Sequence, residues 1–520
     1  MLDAWSKHLG RPVDDPEALR QELSRGPTLP AAFSAAAGRH RTAPALTIGE
    51  ITLTHGEVED ESARIAGVLA AWGVVPGTRL TLLAEPEIPV ILAYLGALRA
   101  GAVVTLAHPS YTAVEIAGVV SASGAELAVG TGESLRRLVE NDPDVPVLGL
   151  AQSDRETATD YLADRAPVED RPLTGNGDST AILAFTSGTT GEPKPVPLSH
   201  GNLLASIRGV MLAWRWRHDD RLVHSLPIAH QHGLGAVHIA LLGGSHAVIL
   251  PRFEPSHLIE VLTEGQATGL FAVPAIYDRL LTEVPKDVPS LGRLRLMTSG
   301  SAPLPTELAH RIEEAVGQLP VERYGLTETG LDVSNPYEGP RIAGTVGMAL
   351  PGVELAVVDG AGEVLGLGET GEVLFRGPQV FDGYAGRLGE GFIGDWFRTG
   401  DIGLVEEGSG HLRLVGRSKE VIITGGVNVY PREVEAALLA VSGVVDAAVI
   451  GVSSGRWGEA VTAFVVAPGI STEEIASRVA AVLAPFKRPK QIVAVESIPR
   501  TEIGKLRRDL LAASPDLDRS

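Results

Sequence analysis

The residues whose types and spacing most plainly suggest chemistry lie in FTSGTTGEPKPVPLSH, Phe185 to His200. Here Gly188 and Gly191 are interleaved with the hydroxyl side chains Thr186, Ser187, Thr189 and Thr190, and Lys194 follows. A glycine-rich turn exposes consecutive backbone N–H groups that form a concave anion nest. The hydroxyls add donors, and Lys194 adds a mobile positive charge. Phosphate is the ligand such a loop suits. The spacing G-x-x-x-x-G-K-[ST] is absent, so this is not an ordinary P-loop nucleoside triphosphatase. Standing alone, the stretch would read better as a polar loop with turn glycines.

Two other patterns invite chemistry and are set aside. GLGETG (366–371) and GEGFIG (389–394) both satisfy G-x-G-x-x-G. Neither opens a helix after a strand, so both read as β-turns rather than dinucleotide sites. His224, His230, His232, His238 and His246 crowd together in sequence. No carboxylate or third ligand stands at metal-site spacing beside them, so a metal centre is not expected there.

The elements that must position the loop read as α/β. RLTLLAE and GAVVTLA are short apolar runs bounded by turn residues, and the helical EIPVILAYLGALRA lies between them. Thr54 and Glu57 have capping-box spacing, with Val58, Ile65, Leu69 and Trp72 on one helical face after them. TAILAFTS, HAVILP, TGLFAVP and LRLMTSG read as further strands. Strands alternating with helices predict a large N-terminal doubly wound α/β domain. From about Pro351, the strands VELAVVD, GEVLFRG and GHLRLVG lie between glycine-rich turns and predict a β-rich submodule. Pro431 suits the first turn of a helix ending near Gly443, with a strand over 444–452 after it. Ser471 and Glu474 have the spacing of a second capping box. The expected division is 1–416 for the N-terminal domain and 417–520 for a small, mobile C-terminal α+β domain.

Composition narrows the function classes. A chain of 520 residues exceeds one ordinary core. A net charge of −20 disfavours nucleic acid and anionic membrane as partners. With no cysteine there is no disulfide, thiolate zinc site or cysteine nucleophile. The first residues, charged and broken by proline, read as neither a signal nor a transit peptide. A cytoplasmic enzyme is the expectation.

Further stretches follow the loop in a fixed order: PIAHQHG (227–233), TSGSAPL (298–304), ERYGLTETG (322–330), RTGDIG (398–403), GRSKEVIITGGVNVYPREVE (416–435) and PRTEIGKLRR (499–508). Together with the loop they resemble the AMP-forming acyl-CoA synthetases of the adenylate-forming superfamily. The resemblance implies a carboxylate attacking the α-phosphorus of ATP, with Mg²⁺ present, and coenzyme A then displacing AMP.

By that resemblance Thr186, Ser187, Gly188, Thr189, Thr190, Gly191 and Lys194 would hold the β- and γ-phosphates. Thr327 would contact the α-phosphate, and Glu328 would hold Mg²⁺. Tyr324 and Gly325 would line one side of the adenine, with Gly300, Ser301 and Ala302 on the other. Asp401 would accept the ribose hydroxyls, with Arg417 nearby. Lys505 would bring positive charge to the reacting carboxylate and α-phosphate. Lys419 marks the hinge, and Gly425 and Gly426 the thiol tunnel. Pro195 stands where the family usually has glycine.

HQHG and the run after TET look like malonyl-CoA synthetases, which makes a second anion site in the acyl pocket an expectation. Arg252 and Arg295 are the candidates for it, as an arginine suits a carboxylate. His230 and Ser299 would wall or gate the pocket. Asp332 near the pocket would repel an anionic tail and favour an amine. Three functions stay open: a CoA ligase for a small carboxylic acid; an adenylating enzyme that passes its product to a carrier protein, an amine or another non-CoA acceptor, including one that activates an unusual acid such as nitrite; and a non-catalytic nucleotide-binding regulator.

Overall fold

The computed structural model describes residues 2–26, 28–141, 145–150, 175–186, 194–424, 427–454, 457–500 and 506–512. Two sheets share the main core. The nine-stranded one has at its centre the parallel strands Val321–Tyr324, Leu296–Ser299, Gly269–Ala272, Arg221–His224 and His246–Ile249, in that spatial order. The six-stranded one includes the parallel strands Arg79–Leu83, Val103–Ala107 and Thr180–Thr186. Short apolar runs such as RLTLL are buried along nearly their whole length, as parallel strands covered on both faces must be. The fold class read from the sequence is borne out.

Local chemistry accounts for the helix starts. The Thr54 side chain accepts the Glu57 N–H while the Glu57 carboxylate accepts the Thr54 N–H, so the helix His55–Ala71 opens on a complete capping box. Val58, Ile65 and Leu69 are buried, but Trp72 caps the helix and is 48% exposed. Its ψ of 5 ends the helix there. At Ser471 only half of the expected box forms. The hydroxyl accepts the Glu474 N–H, while the Glu474 carboxylate pairs with Arg478 one turn on.

The β-rich submodule holds Glu354–Val358, Gly371–Arg376, Trp396–Val405 and Leu412–Arg417 in one antiparallel sheet. GLGETG runs into the second of these strands. GEGFIG turns within the following hairpins, its glycines at positive φ. Arg417 is therefore the last residue of this sheet. The turn Ser418–Glu420 follows, and the C-terminal sheet begins at Ile422–Thr424. The C-terminal helix Pro431–Leu439 stops four residues short of Gly443, and the next strand is Asp446–Ser454. Among the described residues no helix is long and apolar enough to cross a membrane.

Pro195 and Pro197 lie in Lys194–Ser199, an edge strand paired antiparallel with Thr180–Thr186. The Pro195 carbonyl accepts the Ala385 N–H, so this residue's backbone points outward, away from the ladder. Pro197, two residues on, shares that direction. The missing N–H groups therefore cost no ladder bond, and Val196 between them and Leu198 after them are buried. Pro195→Gly should lower stability by about 0.5–1 kcal/mol through the unfolded chain. We expect KM for ATP to stay within about two-fold of the unmodified protein, as initial-rate kinetics would show.

Candidate active site

In open α/β sheets the ligand crevice lies outside the carboxyl ends of the parallel strands, which makes that end of the central strands the candidate crevice here. His224, Phe271 and Thr298 are in register across three strands and so share a face. Gly300 and Arg323 continue that face two residues further along their strands. A side chain at Gly300 would begin 2.7 Å from the Arg323 Nε, so the guanidinium lies directly over this glycine. His232, in the first turn of the helix Gln231–Gly243, stands 5.7 Å from the Phe271 ring. Its Nδ1 is 3.0 Å from the Ser301 hydroxyl. Ser301 itself is held at φ +66, an uncommon conformation for a residue with a side chain.

Arg323 has no hydrogen-bond or ion-pair partner among the described residues. Burial pushes its pKa down to about 9. On the same face, His224 Nε2, His232 Nε2, Thr298 Oγ1 and the Nε of Arg323 itself are buried atoms with no partner among the described residues. The Leu226 N–H donates to His224 Nδ1, which places the His224 proton on the unpartnered Nε2. Burial keeps both histidines neutral, His224 at about 4 and His232 well below its ordinary value. Folded proteins seldom leave so many buried polar groups unmatched in one place. This donor-lined cluster is the candidate hollow for an anion.

A second cluster lies beside the first. Asp401 and Arg417 pair across adjacent strands of the β-rich sheet, with Arg417 Nε 3.0 Å from Asp401 Oδ1. The Tyr324 hydroxyl donates to Asp401 Oδ2 at 2.5 Å. Asp401 raises the Arg417 pKa, while burial and the same carboxylate raise that of Tyr324. A Cβ on Gly325 would sit 2.0 Å from the Gly330 carbonyl, so only glycine fits after Tyr324.

The third cluster gathers charges from distant parts of the chain. Glu328 is buried and accepts the Tyr384 hydroxyl at 2.9 Å. Lys194 pairs with Glu390 at 2.8 Å, and that pairing, with Arg387, lowers the Glu390 pKa. The Thr327 carbonyl accepts from the Gln231 amide at 2.8 Å. One buried carboxylate suits Mg²⁺, which usually takes one or two protein carboxylates plus substrate phosphates. No group of three or more His, Cys, Asp or Glu side chains that could hold a metal exists among the described residues.

Several expected positions come out differently. Arg295 precedes its strand, at the opposite end from the crevice. Its Nε donates to Asp220 Oδ1 at 2.6 Å, and its guanidinium lies between the Trp216 and Tyr337 rings. It is a structural ion pair. Arg252 is exposed beyond the strand His246–Ile249. That strand is four places from the one bearing Arg323, roughly 19 Å at ordinary strand spacing. Ser299 faces away from the hollow, in register with Ala272 and Glu322. Asp332 is buried and accepts from Thr329 and Gln379, so it neither faces nor repels an acyl tail.

His230 caps the helix Gln231–Gly243, its ring 5.3 Å from that of His108, beside the hollow. Ala302 is half-buried, and Lys419 is exposed in the Ser418–Glu420 turn. Thr186 ends its strand at the loop. Ser187, Gly188, Thr189, Thr190, Gly191, Gly425, Gly426 and Lys505 lie outside the described residues. Away from the crevice, His238 bonds Tyr94, and His246 bonds Thr47.

Arg323 is the residue that reading the sequence missed. The signal was present: in VERY an arginine falls two residues after a core valine, on the same face of a buried strand.

Comparison with known proteins gives the family. Residues 33–385 match the family model "AMP-binding enzyme", and 433–505 match "AMP-binding enzyme C-terminal domain". An oxalate–CoA ligase of Arabidopsis thaliana is 33% identical over 490 residues, covering 89% of this chain and 94% of that protein. A mitochondrial malonate–CoA ligase of Mus musculus is 32% identical over 474 residues, covering 83% and 80% respectively. The crystal structure of ATP-bound MatB from Rhodopseudomonas palustris superposes with a TM-score of 0.87 at 33% identity, covering 94% of this chain and 98% of that one.

Proposed function

Since the chain belongs to the AMP-binding enzymes and is an AMP-forming acyl-CoA synthetase, we propose that its acid is a small, malonate-like dicarboxylate and its acceptor coenzyme A. The observation that carries this reading is Arg323, a largely buried guanidinium without an acidic partner among the described residues, surrounded by unmatched donors. A monoacid would leave that charge uncompensated. A second carboxylate would meet it in the bidentate geometry arginine favours. Named relatives that act on malonate and oxalate support the same class.

In this reading one carboxylate of the acid attacks the α-phosphorus of ATP. The bond to the β-phosphate oxygen breaks, and pyrophosphate leaves. The coenzyme A thiol then attacks the acyl carbon, and AMP leaves. Two anions must meet in the first half, so positive charge and fixed dipoles carry it rather than a covalent nucleophile. Lys194 and the groups of 186–191 hold the β- and γ-phosphates, and Thr327 holds the α-phosphate. Asp401 accepts the ribose hydroxyls, with Arg417 and Tyr324 fixing its carboxylate. Glu328 would hold Mg²⁺, which when bound offsets the phosphate charge. Lys505 reaches the α-phosphate in the first half. Rotation at Lys419 then replaces it with the Gly425–Gly426 loop.

Lys505→Ala separates the halves. Pyrophosphate exchange should fall about 100-fold, roughly 2.7 kcal/mol of lost transition-state stabilisation. Thioester formation from supplied acyl-AMP and coenzyme A should stay within a few-fold. Equal loss in both halves would contradict the rotation. An acyl-adenylate that coenzyme A leaves untouched, and a carrier-protein thiol or an amine accepts, would contradict the assigned acceptor.

A further inference from the structure

We propose that Tyr384 is a positioning residue shared by the two groups that handle the nucleotide phosphates: its hydroxyl orients the Glu328 carboxylate, and its ring seats the Lys194 ammonium. The inference rests on the reading of Glu328 and Lys194 given above. The Tyr384 hydroxyl donates to Glu328 Oε1 at 2.9 Å, and fixing one carboxylate oxygen fixes where the other points. The Lys194 Nζ lies 4.9 Å from the centre of the same ring, close enough for a cation–π contact. Tyr384 thus touches both groups, although they are 134 positions apart in the chain.

The surroundings hold Tyr384 as a support must be held. The Phe381 N–H donates to the Glu328 carbonyl at 3.0 Å, so one short segment grips both the main chain and the side chain of Glu328. The Phe381 ring meets Tyr384 edge-on at 5.1 Å. Just upstream, the Asn202 amide donates to the carbonyls of Pro378 and Val380 at 3.0 and 2.8 Å. Asn202 lies in the first turn of the helix that follows the Lys194 strand. The Ala385 N–H fastens the other side to Pro195. The segment bearing Tyr384 and the strand bearing Lys194 are therefore tied together on both sides. Outer partners of this kind set the orientation of the groups that touch a ligand.

The hydroxyl and the ring can be tested apart. Tyr384→Phe keeps the ring and its packing and removes only the bond to Glu328. Tyr384→Leu removes both. Binding of ATP to the full-length protein without acid is measured by calorimetry, with and without Mg²⁺, and bound Mn²⁺ by electron paramagnetic resonance.

For the Phe variant we expect metal-free ATP affinity within two-fold of the unmodified protein, and a gain in affinity on adding Mg²⁺ that is smaller by roughly ten-fold. The Leu variant should also lose about three-fold in metal-free ATP affinity. Melting temperatures report whether each variant is folded. A purely structural role would lower the melting temperature and leave the Mg²⁺-dependent gain in place. Folded Phe and Leu variants that bind ATP and Mn²⁺ normally would overturn the proposal. Lys194→Ala and Glu328→Gln serve as references. Weaker ATP and metal binding in these, beside normal Tyr384 variants, sinks the Tyr384 role alone. If the references also bind normally, the phosphate reading falls and takes the proposal with it.

Discussion

Arg323→Met should cost the enzyme the dicarboxylic substrate proposed for it while making the protein more stable. The two effects share one cause. The guanidinium lacks an acidic partner among the described residues, and burial alone holds its pKa down at about 9. A charge kept from water without a counter-charge destabilises the fold, and an apolar side chain of similar length removes that strain. We expect about 1–3 kcal/mol of added stability, read by chemical denaturation. Truncating one partner of a buried charge pair typically costs about 2–5 kcal/mol of binding, so kcat/KM for malonate should fall by about 30- to 5,000-fold. Propionate, which has a methyl where malonate has its second carboxylate, should be used as well as before or better. Parallel losses for both acids, together with a less stable protein, would show that Arg323 supports the fold instead.

Arg295→Ala should do the opposite. Its side chain is 13% exposed and that of Asp220 1%. The pair is bidentate, and Asp220 also accepts from Thr268 Oγ1 and the Arg217 N–H. Burial alone would raise the Asp220 pKa. These donors outweigh it, and the net shift is downward. Removing the arginine strands a buried carboxylate, which typically costs about 3–5 kcal/mol. We expect that loss in denaturation, with kcat/KM of the surviving folded enzyme changed only a few-fold. The pH dependence follows from the direction of the shift. An aspartate whose folded pKa lies below its unfolded value of about 4 contributes fully above that value. The contribution is lost as pH falls through the depressed folded pKa. The Ala variant should therefore be most disadvantaged near neutral pH and less so in acid.

These two arginines show what the sequence could and could not convey. The strands, the Thr54 capping box and the β-rich submodule were legible because burial and backbone hydrogen bonding act on neighbouring residues. The family motifs were legible because each is contiguous. Choosing between Arg295 and Arg323 depends on which end of a strand each occupies and on Asp220, 75 residues from Arg295. Nothing local carries that information. Ser299 failed for a related reason, as alternation places it on the opposite face from Thr298. Tyr384 escaped notice because its two partners come from different sheets and loops. Pro195, a departure from the family when read as a string, is accommodated by an edge strand with outward-facing backbone.

The most direct test of the account is ATP–pyrophosphate exchange by the unmodified enzyme with malonate and with propionate, at matched concentrations and with Mg²⁺. The account predicts strong exchange with malonate, at least about 30-fold weaker exchange with propionate, and malonyl-CoA on adding coenzyme A. Equal exchange with both acids, or exchange only with propionate or an aryl acid, would contradict the assignment of the Arg323 hollow to a second carboxylate.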